Sequence, residues 1–341
     1  MKPMLFAEPL KHRNYVKTRD MFTELVRSSP GNKIVVLVGP TQIGKSLIFE
    51  HLVKTLGNEL HAESSALMPM ISLTIATSND GRVLPKHLIM MILKALKHPL
   101  YMHIGELDEQ QHYRPSRGRD EGTMRVAVGA ALDARETIRA VLDEAHHLTH
   151  TKDREVRSNV LQSFKCFLAI NRTLVLIGGY ELAYRGLFDS AHFVGRVICV
   201  EFAPYTDCEA DMGEWLSILK FFSQRISVSP RNLLISEATI LLNVSNGSFG
   251  LLEKILWSAS VSSRGKAITQ TSLRAAYPTK AEHDVIRRDI VAGQRAIAKI
   301  NAPAMEGIVS EDDCAKKGNR KRPFQRNPNR ALNGLPVIAD E

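Results

Sequence analysis

The sequence predicts an α/β fold in which a parallel sheet is flanked by helices and followed by a small all-helical domain. Short apolar runs rich in valine, leucine and isoleucine alternate with helical segments as far as residue 202, which is typical of strands buried on both faces of a sheet. A glycine-containing loop joins the first of these runs to a helix. After Pro204 only helical patterns follow, so we expect the chain to continue as a separate helical region.

The predicted sheet contains five strands. The first, Lys33–Val38, is an apolar run bounded by Gly31-Asn32 and Gly39-Pro40, and such residues are typical of strand ends. The other predicted strands cover residues 69–75, 137–142, 173–177 and 197–202. Together they favour a sheet whose strands are separated along the chain by helices.

The predicted helices follow from apolar residues at helical spacing. In the first part of the chain they cover residues 19–28, 44–56 and 85–96. In the second part they cover residues 208–225, 236–244, 250–263 and 270–276. Residues 98–123 are polar and contain glycine and proline, which indicates a long loop or insertion.

These patterns divide the chain into five predicted segments. They are an N-terminal lead-in (1–30), an α/β core (31–205), a helical lid (206–280), a charged helical extension (281–310) and a basic tail (311–341). Between Lys316 and Arg330 the tail has seven lysines or arginines and no acid. A segment of this composition is expected to be disordered without a partner.

Composition narrows the class of protein. The chain is 44% hydrophobic and 24% charged, as in soluble globular proteins, and no apolar run reaches the ~18 residues of a membrane span. Its start lacks the apolar core of a secretory signal, so we expect a cytoplasmic protein with no membrane partner. The four cysteines form no C-x-x-C pair, which excludes the common zinc and redox motifs. The net charge of +9 favours a polyanionic partner such as nucleic acid.

The loop after the first strand matches the phosphate-binding pattern G-x-x-x-x-G-K-[ST]. Glycines allow successive backbone N–H groups to point at phosphate oxygens, and the start of the following helix adds positive potential. Lys45 is expected to neutralise the β and γ phosphates of ATP, and Ser46 to bind Mg²⁺. The predicted nucleotide-binding residues are Gly39, Pro40, Thr41, Gln42, Ile43, Gly44, Lys45, Ser46 and Leu47.

The third strand ends in two carboxylates, Asp143 and Glu144. An apolar strand with this ending is typical of a Walker B site, in which Asp143 would hold Mg²⁺ and Glu144 would polarise the attacking water. With Ala145 and His146 the pair also spells the DEAH box of a helicase superfamily, but the small helical region that follows leaves no room for a second RecA-like domain. His146 and His147 are interpreted as helix residues near the site rather than as metal ligands, because adjacent residues on a helix point in different directions.

Three basic residues are further candidates for the site. Arg196, just before the fifth strand, is the predicted arginine finger, which would reach the γ-phosphate bound to a neighbouring subunit. Arg185 is the second candidate for this role. Lys254, in the lid, is a candidate contact to the nucleotide, although a solvated helix lysine is the more frequent case. With the P-loop and the Walker B pair, these residues indicate an ATPase of the AAA+ type.

Over about residues 15–275 the sequence resembles the TnsC/TniB family of AAA+ regulators of DNA transposition. The matching segments are Arg19-Asp20-Met21-Phe22, the P-loop, residues 68–73, 88–99, 142–148, 176–179 and 250–256. The chain departs from common AAA+ patterns where Gly178-Gly179-Tyr180 replaces a polar sensor and where the lid lacks a clear sensor arginine. Nucleotide is then sensed differently, or hydrolysis is slow.

The resemblance implies a protein that assembles with ATP into rings or filaments on duplex DNA. It also implies contacts with a transposase and with a TniQ-like target selector, so that target-site selection is linked to transposition. The candidate DNA contacts are Lys86, Lys94, Arg114, Arg117 and Arg119. Two alternatives remain open, a helicase-loader or replication-initiator ATPase and a nucleotide-gated switch that binds no DNA.

Overall fold

The computed structural model describes residues 10–60, 66–77, 83–99, 101, 106–107, 113–114, 120–150, 164, 167–168, 171–185 and 195–301. The chain divides into two compact units, Met1–Ile300 and Asn301–Glu341. The described residues lie in the first unit, apart from Asn301, which ends the last helix. No helix among these residues has the length and apolarity needed to cross a bilayer.

The first part of the chain alternates helices and strands. In order these are α1 (Arg13–Ser28), β1 (Lys33–Val38), α2 (Lys45–Glu59), β2 (Met70–Thr74), α3 (Pro85–Ala95), β3 (Glu106–Leu107), β4 (Tyr113–Arg114), α4 (Glu121–Ala134), β5 (Arg139–Asp143), β6 (Thr173–Gly178), α5 (Glu181–Tyr184) and β7 (Val197–Glu201). A 3-10 helix, Ala145–Thr149, follows β5. The second part is helical, with α6 (Glu209–Arg225), α7 (Leu233–Ser236), α8 (Ala238–Val244), α9 (Phe249–Ser262), α10 (Gln270–Ala275) and α11 (Lys280–Asn301).

The main sheet has five strands in the order β2-β5-β6-β1-β7, and every neighbouring pair is parallel. Strand β1, which lies between β6 and β7, is apolar at successive positions because both of its faces are covered. Ile34 and Val36 pack with α3 and α4 on one face, whereas Val35 and Leu37 pack with α1 and α2 on the other. The predicted fold class, a parallel sheet flanked by helices with a helical part after it, is confirmed.

Several helices begin or end at residues other than those predicted from the sequence. Helix α1 begins at Arg13 rather than near residue 19, because the His12 ring accepts a hydrogen bond from the Tyr15 N–H at 3.4 Å. The predicted helix 236–244 corresponds to α8, which begins at Ala238, and the separate short helix α7 ends at Ser236. The Glu237 carboxylate is buried and accepts a hydrogen bond from the Gln270 amide at 2.5 Å. The predicted loop 98–123 contains the short β3–β4 pair and the start of α4.

Helices α6–α10, called the lid below, pack around an apolar cluster of their own. Trp215 is fully buried in this cluster, and its indole N–H donates to the Ala238 carbonyl at 3.1 Å. Tyr205, at the start of the lid, is buried in the same cluster. The lid therefore has its own small hydrophobic core, formed by helices that come after the sheet in the sequence.

Helix α11 leaves the lid and packs on the α/β part. Ile290 and Ile297 are buried in the main core cluster together with Tyr180. Between them, Gly293 lies against the Tyr180 ring, where an added Cβ would be 2.2 Å from the ring carbons. Tyr184 of α5 donates a hydrogen bond to Asp289 at 2.9 Å. The segment predicted as a charged extension is thus an amphipathic helix with one face in the core of the sheet region.

Candidate functional site

The loop between β1 and α2 adopts the conformation that a phosphate-binding loop needs. Gln42 and Gly44 have positive φ angles of 56° and 111°, and glycine takes the second without strain. Gly39 lies so close to the end of β7 that an added Cβ would be 2.7 Å from the Phe202 carbonyl oxygen. The two glycines of the pattern therefore have different roles. Gly44 adopts a positive φ angle, and Gly39 allows the loop to pack closely against Phe202.

Lys45 lies inside the loop. Its ammonium donates to the carbonyls of Gly39 and Pro40 at 3.0 and 2.6 Å. Burial lowers the pKa of Lys45 to about 8, and the carboxylates of Glu144 and Asp143 act in the opposite direction. These two hydrogen bonds fix the position of the Lys45 ammonium within the loop. The carboxylates of Asp143 and Glu144 are near enough to favour its charged form.

Asp143 and Glu144 stand at the carboxyl end of β5, beside the loop. Asp143 is buried, and its Oδ1 accepts the backbone N–H of Glu144 at 2.8 Å. Burial raises the pKa of Asp143, while hydrogen bonds from that N–H and from the Ser46 hydroxyl lower it. The hydroxyl and carboxylate oxygens in contact here are the donor atoms that Mg²⁺ prefers, so Ser46 and Asp143 fit the ion that was predicted for them.

A cavity of about 650 Å³ opens between the P-loop and the lid. The predicted nucleotide-binding residues that line it are Thr41, Gln42, Ile43, Gly44, Lys45, Ser46 and Leu47. The other two predicted residues, Gly39 and Pro40, do not line the cavity. Their carbonyls accept hydrogen bonds from Lys45, which does line it. Glu144 lines the same cavity, so the residues predicted from the two ATPase motifs come together in one place.

Aromatic and apolar residues form another wall of this cavity. They are Leu10, His12, Tyr15, Phe221, Phe222 and Phe249. His12 stacks on Phe249 with ring centroids 4.8 Å apart, and Phe249 stacks on Phe222 at 5.8 Å. The His12 Nδ1 is 3.0 Å from the Tyr205 hydroxyl, and burial lowers the pKa of His12 to about 4, so the ring is neutral. Flat apolar groups of this kind suit a planar heterocycle such as adenine.

Sequence reasoning missed this wall because its members come from the chain start, α1, α6 and α9. Each of them alone has the pattern of a core residue, and only the fold brings them to one surface. The signal that was present was Phe249 itself, which directly precedes the lid segment 250–256 that contains Lys254. That segment indeed reaches the site, but through its backbone and Glu253.

The lid contacts the P-loop directly at the start of α9. The Gly250 N–H donates to the Gln42 carbonyl at 2.9 Å, and the Ser248 hydroxyl donates to the Thr41 carbonyl at 3.2 Å. A Cβ on Gly250 would lie 2.2 Å from the Gln42 carbonyl oxygen. The lid therefore rests on the backbone of the loop at a position where only glycine fits.

Further acidic side chains line the cavity. Glu253, Glu181 and Asp289 are among its lining residues, and burial raises the pKa of Asp289. Lys254, predicted as a basic contact of the lid, is exposed and is not one of the residues that line the cavity. Since α9 turns Glu253 toward the cavity, the adjacent side chain points elsewhere.

The two arginine-finger candidates occupy different positions. Arg196 precedes β7 at the amino edge of the parallel sheet, where its carbonyl accepts the Ile34 N–H at 2.9 Å. The P-loop lies past the opposite ends of the strands, roughly 15–20 Å away along β1, so Arg196 does not reach its own site. Arg185 is exposed at the end of α5, with its guanidinium 5.8 Å from the centre of the Tyr184 ring.

The DNA candidates are only partly within the described residues. Lys86 and Lys94 lie on α3, half-buried and exposed respectively, and eight residues separate them by about 12 Å along the helix. Arg114 belongs to β4, whose backbone alone is described. Arg117 and Arg119 lie outside the described residues. The structure therefore gives side-chain positions for only Lys86 and Lys94 among the five candidates.

A basic surface that sequence reasoning missed lies on α11. Arg288, Arg295 and Lys299 are exposed and recur at seven- and four-residue steps, which places them along one face of the helix. Within the described part of the chain, none of them forms an ion pair with a carboxylate. Their spacing is visible in the sequence and could have identified this basic stripe, which is defined here by these three residues.

The histidines after the Walker B pair are not arranged as expected. They were interpreted as residues of a helix that point apart, but the segment is a 3-10 helix, and the rings of His146 and His147 lie 4.3 Å apart. The ring of His150 is 5.3 and 5.0 Å from these two rings. The interpretation was wrong because the segment is not an α-helix, and residues three apart in a 3-10 helix are eclipsed, which brings His150 next to His147.

Comparison with known proteins gives one match to a family and several to solved structures. Residues 29–185 match the family model described as an AAA domain. No curated protein matches the chain. Among solved structures it is similar to the Aeropyrum pernix ORC2 protein in its ADP form, at 12% identity and a TM-score of 0.49, with 80% of this chain and 70% of that chain covered.

Two other solved structures are similar at a comparable level. A Walker-type ATPase of Pyrococcus abyssi has 14% identity and a TM-score of 0.46, with 88% of this chain and 80% of that chain covered. Drosophila ORC bound to DNA has 14% identity and a TM-score of 0.44, with 86% of this chain and 62% of that chain covered.

Proposed function

We propose that this protein binds Mg-ATP and hydrolyses it to ADP and phosphate, because residues 29–185 match the AAA domain model within an AAA+ P-loop ATPase fold. The observation that carries the proposal is that Lys45, Ser46 and Glu144 line one cavity, while Asp143 contacts the Ser46 hydroxyl. Lys45 neutralises the β and γ phosphates, while Ser46 and Asp143 hold Mg²⁺, which offsets the negative charge of the triphosphate. Glu144 orients and polarises the attacking water.

The aromatic wall and the P-loop line the same cavity, and together they define the proposed orientation of the nucleotide. The adenine lies against His12 and Phe249, and the phosphates lie in the loop before α2. Since Gly250 of the lid contacts the Gln42 carbonyl of this loop, nucleotide and lid share one surface. Binding of ATP is therefore proposed to fix the position of the lid.

A substitution of Glu144 tests hydrolysis. Glu144→Gln is expected to bind ATP with unchanged affinity but to lose more than about tenfold in turnover, because an amide cannot polarise water as a carboxylate does. Glu136→Gln is a matched control, because Glu136 is exposed and has nearly the same backbone, with φ of 52° against 54° for Glu144. Equal turnover of the Glu144→Gln and Glu136→Gln proteins would remove the role given to Glu144.

We further propose that the ATPase is a cytoplasmic regulator of DNA transposition that assembles as an oligomer on duplex DNA. The support is the resemblance of its motifs to TnsC/TniB regulators, the net charge of +9 and the basic stripe of α11. In this function the oligomer links a TniQ-like target selector to a transposase. Gene neighbourhood provides a direct check, because a replication initiator or helicase loader would not be encoded beside a transposase.

Arg196 is proposed to complete the ATP site of the adjacent subunit. Its position at the sheet edge opposite its own P-loop favours action in trans. Arg196→Ala is expected to bind ATP but hydrolyse it poorly, and mixing it with Glu144→Gln protein, which retains Arg196, is expected to restore part of the activity. A mixture no more active than its two components would exclude Arg196 as a finger, and the same experiment with Arg185→Ala tests the second candidate.

DNA binding is expected to depend on ATP, because one subunit makes few phosphate contacts and assembly adds them. Each neutralised phosphate steepens the salt dependence, with log K falling by about 0.9 per contact for each unit of log salt. Fluorescence anisotropy with duplex DNA, at several salt concentrations and with or without a slowly hydrolysed ATP analogue, measures both effects. Equal affinity in the two nucleotide conditions would refute ATP-dependent assembly on DNA, and no binding in either condition would favour the nucleotide-gated switch that binds no DNA.

Two double variants distinguish the candidate surfaces. Arg295→Ala with Lys299→Ala removes two charges of the basic stripe, and Lys86→Ala with Lys94→Ala removes two from α3. A control that loses equal charge is Lys17→Ala with Lys54→Ala, since both lysines are exposed on α1 and α2. The double variant that binds DNA more weakly and with a shallower salt slope than the control identifies the contact surface.

A further inference from the structure

We propose that His146, His147 and His150 form a binding site for a divalent transition metal, and that this site controls Glu144. The proposal of control depends on the ATPase function proposed above, whereas the proposal of a metal site does not. The three side chains each offer one ring nitrogen, and these nitrogens all lie within 4.8 Å of one another. Imidazole nitrogens favour Zn²⁺ and similar ions rather than Mg²⁺, which takes oxygen ligands.

The local backbone explains why the three rings meet. Residues three apart in a 3-10 helix are eclipsed, so His147 and His150 project on the same side of this helix. Their Nδ1 atoms are 3.4 Å apart. Two imidazole nitrogens that bind one tetrahedral zinc at ~2.0–2.1 Å are about 3.3–3.4 Å apart, so this pair already has the spacing of two ligands.

The cluster is held in place and remains able to bind a cation. The end of β6 packs against the 3-10 helix so closely that a Cβ on Gly178 would be 2.8 Å from the His146 nitrogen of the main chain. All three histidines are half-buried. Histidine binds a metal as neutral imidazole, through either Nδ1 or Nε2.

Glu144 connects this cluster to the ATP site. Its Oε2 is 3.1 Å from Nδ1 of His146. If His146 binds the metal through Nε2, its Nδ1–H donates to Glu144, which is the common arrangement of a carboxylate behind a metal-bound histidine. A carboxylate held in this way is less available to polarise water. The bound metal is therefore expected to slow hydrolysis without weakening ATP binding, because it touches neither Lys45 nor Ser46.

Metal binding is tested on the full chain after treatment with a chelator. Titration with Co²⁺ alone, without nucleotide, is expected to give one equivalent of tetrahedral visible absorption without thiolate charge-transfer bands, and Zn²⁺ is expected to displace it. His147→Ala with His150→Ala is expected to weaken binding more than tenfold, whereas His283→Ala, a half-buried histidine of α11, serves as the control. No uptake by the unsubstituted protein, or equal uptake by the double variant, would overturn the site.

A second measurement separates site, control and fold. ATP turnover in excess Mg²⁺ is expected to fall several-fold with one equivalent of Zn²⁺ in the unsubstituted protein but not in the double variant, with ATP affinity unchanged in both. Metal uptake without a change in turnover would refute control of Glu144 and leave the site. Absence of turnover in every protein would refute the ATPase function, yet the cobalt spectrum would still report the histidines. Circular dichroism verifies folding, and His150→Asn provides a milder variant.

Discussion

Burial lowers the pKa of Lys45, and the effect of this shift can be tested by measuring ATP binding as a function of pH. Because burial lowers its pKa to about 8, the ammonium loses its proton at a pH where an ordinary lysine keeps it. In the proposed ATP site the charged form of Lys45 faces the phosphates, so above pH 8 the binding of ATP would take up a proton. We expect the dissociation constant for ATP to rise from pH 8 to pH 9, approaching tenfold per pH unit.

Nucleotide titrations at pH 7, 8 and 9 check this expectation. Lys45→Ala is expected to bind ATP more than tenfold more weakly at every pH, because it removes the charge that faces the phosphates. Lys45→Arg keeps a charge that does not titrate in this range, so its affinity is expected to change little with pH. The same pH dependence in all three proteins would show that another group is responsible.

His12 affects stability with the sign opposite to that of a histidine in an ion pair. Its folded-state pKa of about 4 lies below the ordinary value of 6.5, so the unfolded chain binds a proton that the folded chain does not. Stability is therefore complete above pH 6.5 and falls as the pH drops toward 4, by about 1.4 kcal/mol per pH unit. Urea unfolding at pH 7, 6 and 5 is expected to show a smaller decrease for His12→Gln, and parallel decreases would contradict the assignment.

The residues of the site were predictable to the extent that their function is local. Lys45, Ser46, Asp143 and Glu144 belong to patterns that a single strand and its next turn define. His12 and Phe249 form one stacked pair although more than two hundred residues separate them. No short pattern encodes that pairing, because it results from the packing of α1, the lid and the P-loop together.

At the scale of elements, α11 is a charged segment that nevertheless packs on the main hydrophobic core. Its charged residues suggested an extension, while Ile290, Gly293 and Ile297, at three- and four-residue steps, are its buried face. That spacing was visible in the sequence. The identity of its partner was not, because Tyr180 lies at the end of a strand more than a hundred residues earlier.

The contact between Gly293 and Tyr180 predicts the result of a small substitution. Gly293→Ala places a Cβ within 2.2 Å of ring atoms, so the helix must shift, at a cost of about 1–3 kcal/mol in the free energy of unfolding. Gly129→Ala is the matched control, because Gly129 is also within a helix and its added Cβ would have no atom within 4 Å. Urea unfolding of both variants measures the difference, and similar stabilities would show that α11 is not packed as described.

At the scale of the whole molecule, truncation distinguishes the tail from α11. Removal of residues 311–341 is expected to leave nucleotide affinity and thermal stability unchanged, since the residues of the site all precede Asn301. Removal from residue 280 onward exposes the main core face that Ile290 and Ile297 cover, and we expect a protein that unfolds at markedly lower temperature. Differential scanning calorimetry compares the two, and equal melting temperatures would contradict a structural role of α11.

The lid is joined to the sheet region at both of its ends, by the chain at Phe202–Tyr205 and by α11, and this restricts how the cavity can open. A domain attached at one point swings on a single hinge, whereas a domain attached at two points can only rotate about the line that connects them. For the proposed ATPase, release of ADP would therefore require a twist of the lid about that axis, or temporary separation of α11 from Tyr180. The exchange of nucleotide would then be a torsional motion that depends on the contact between α11 and Tyr180.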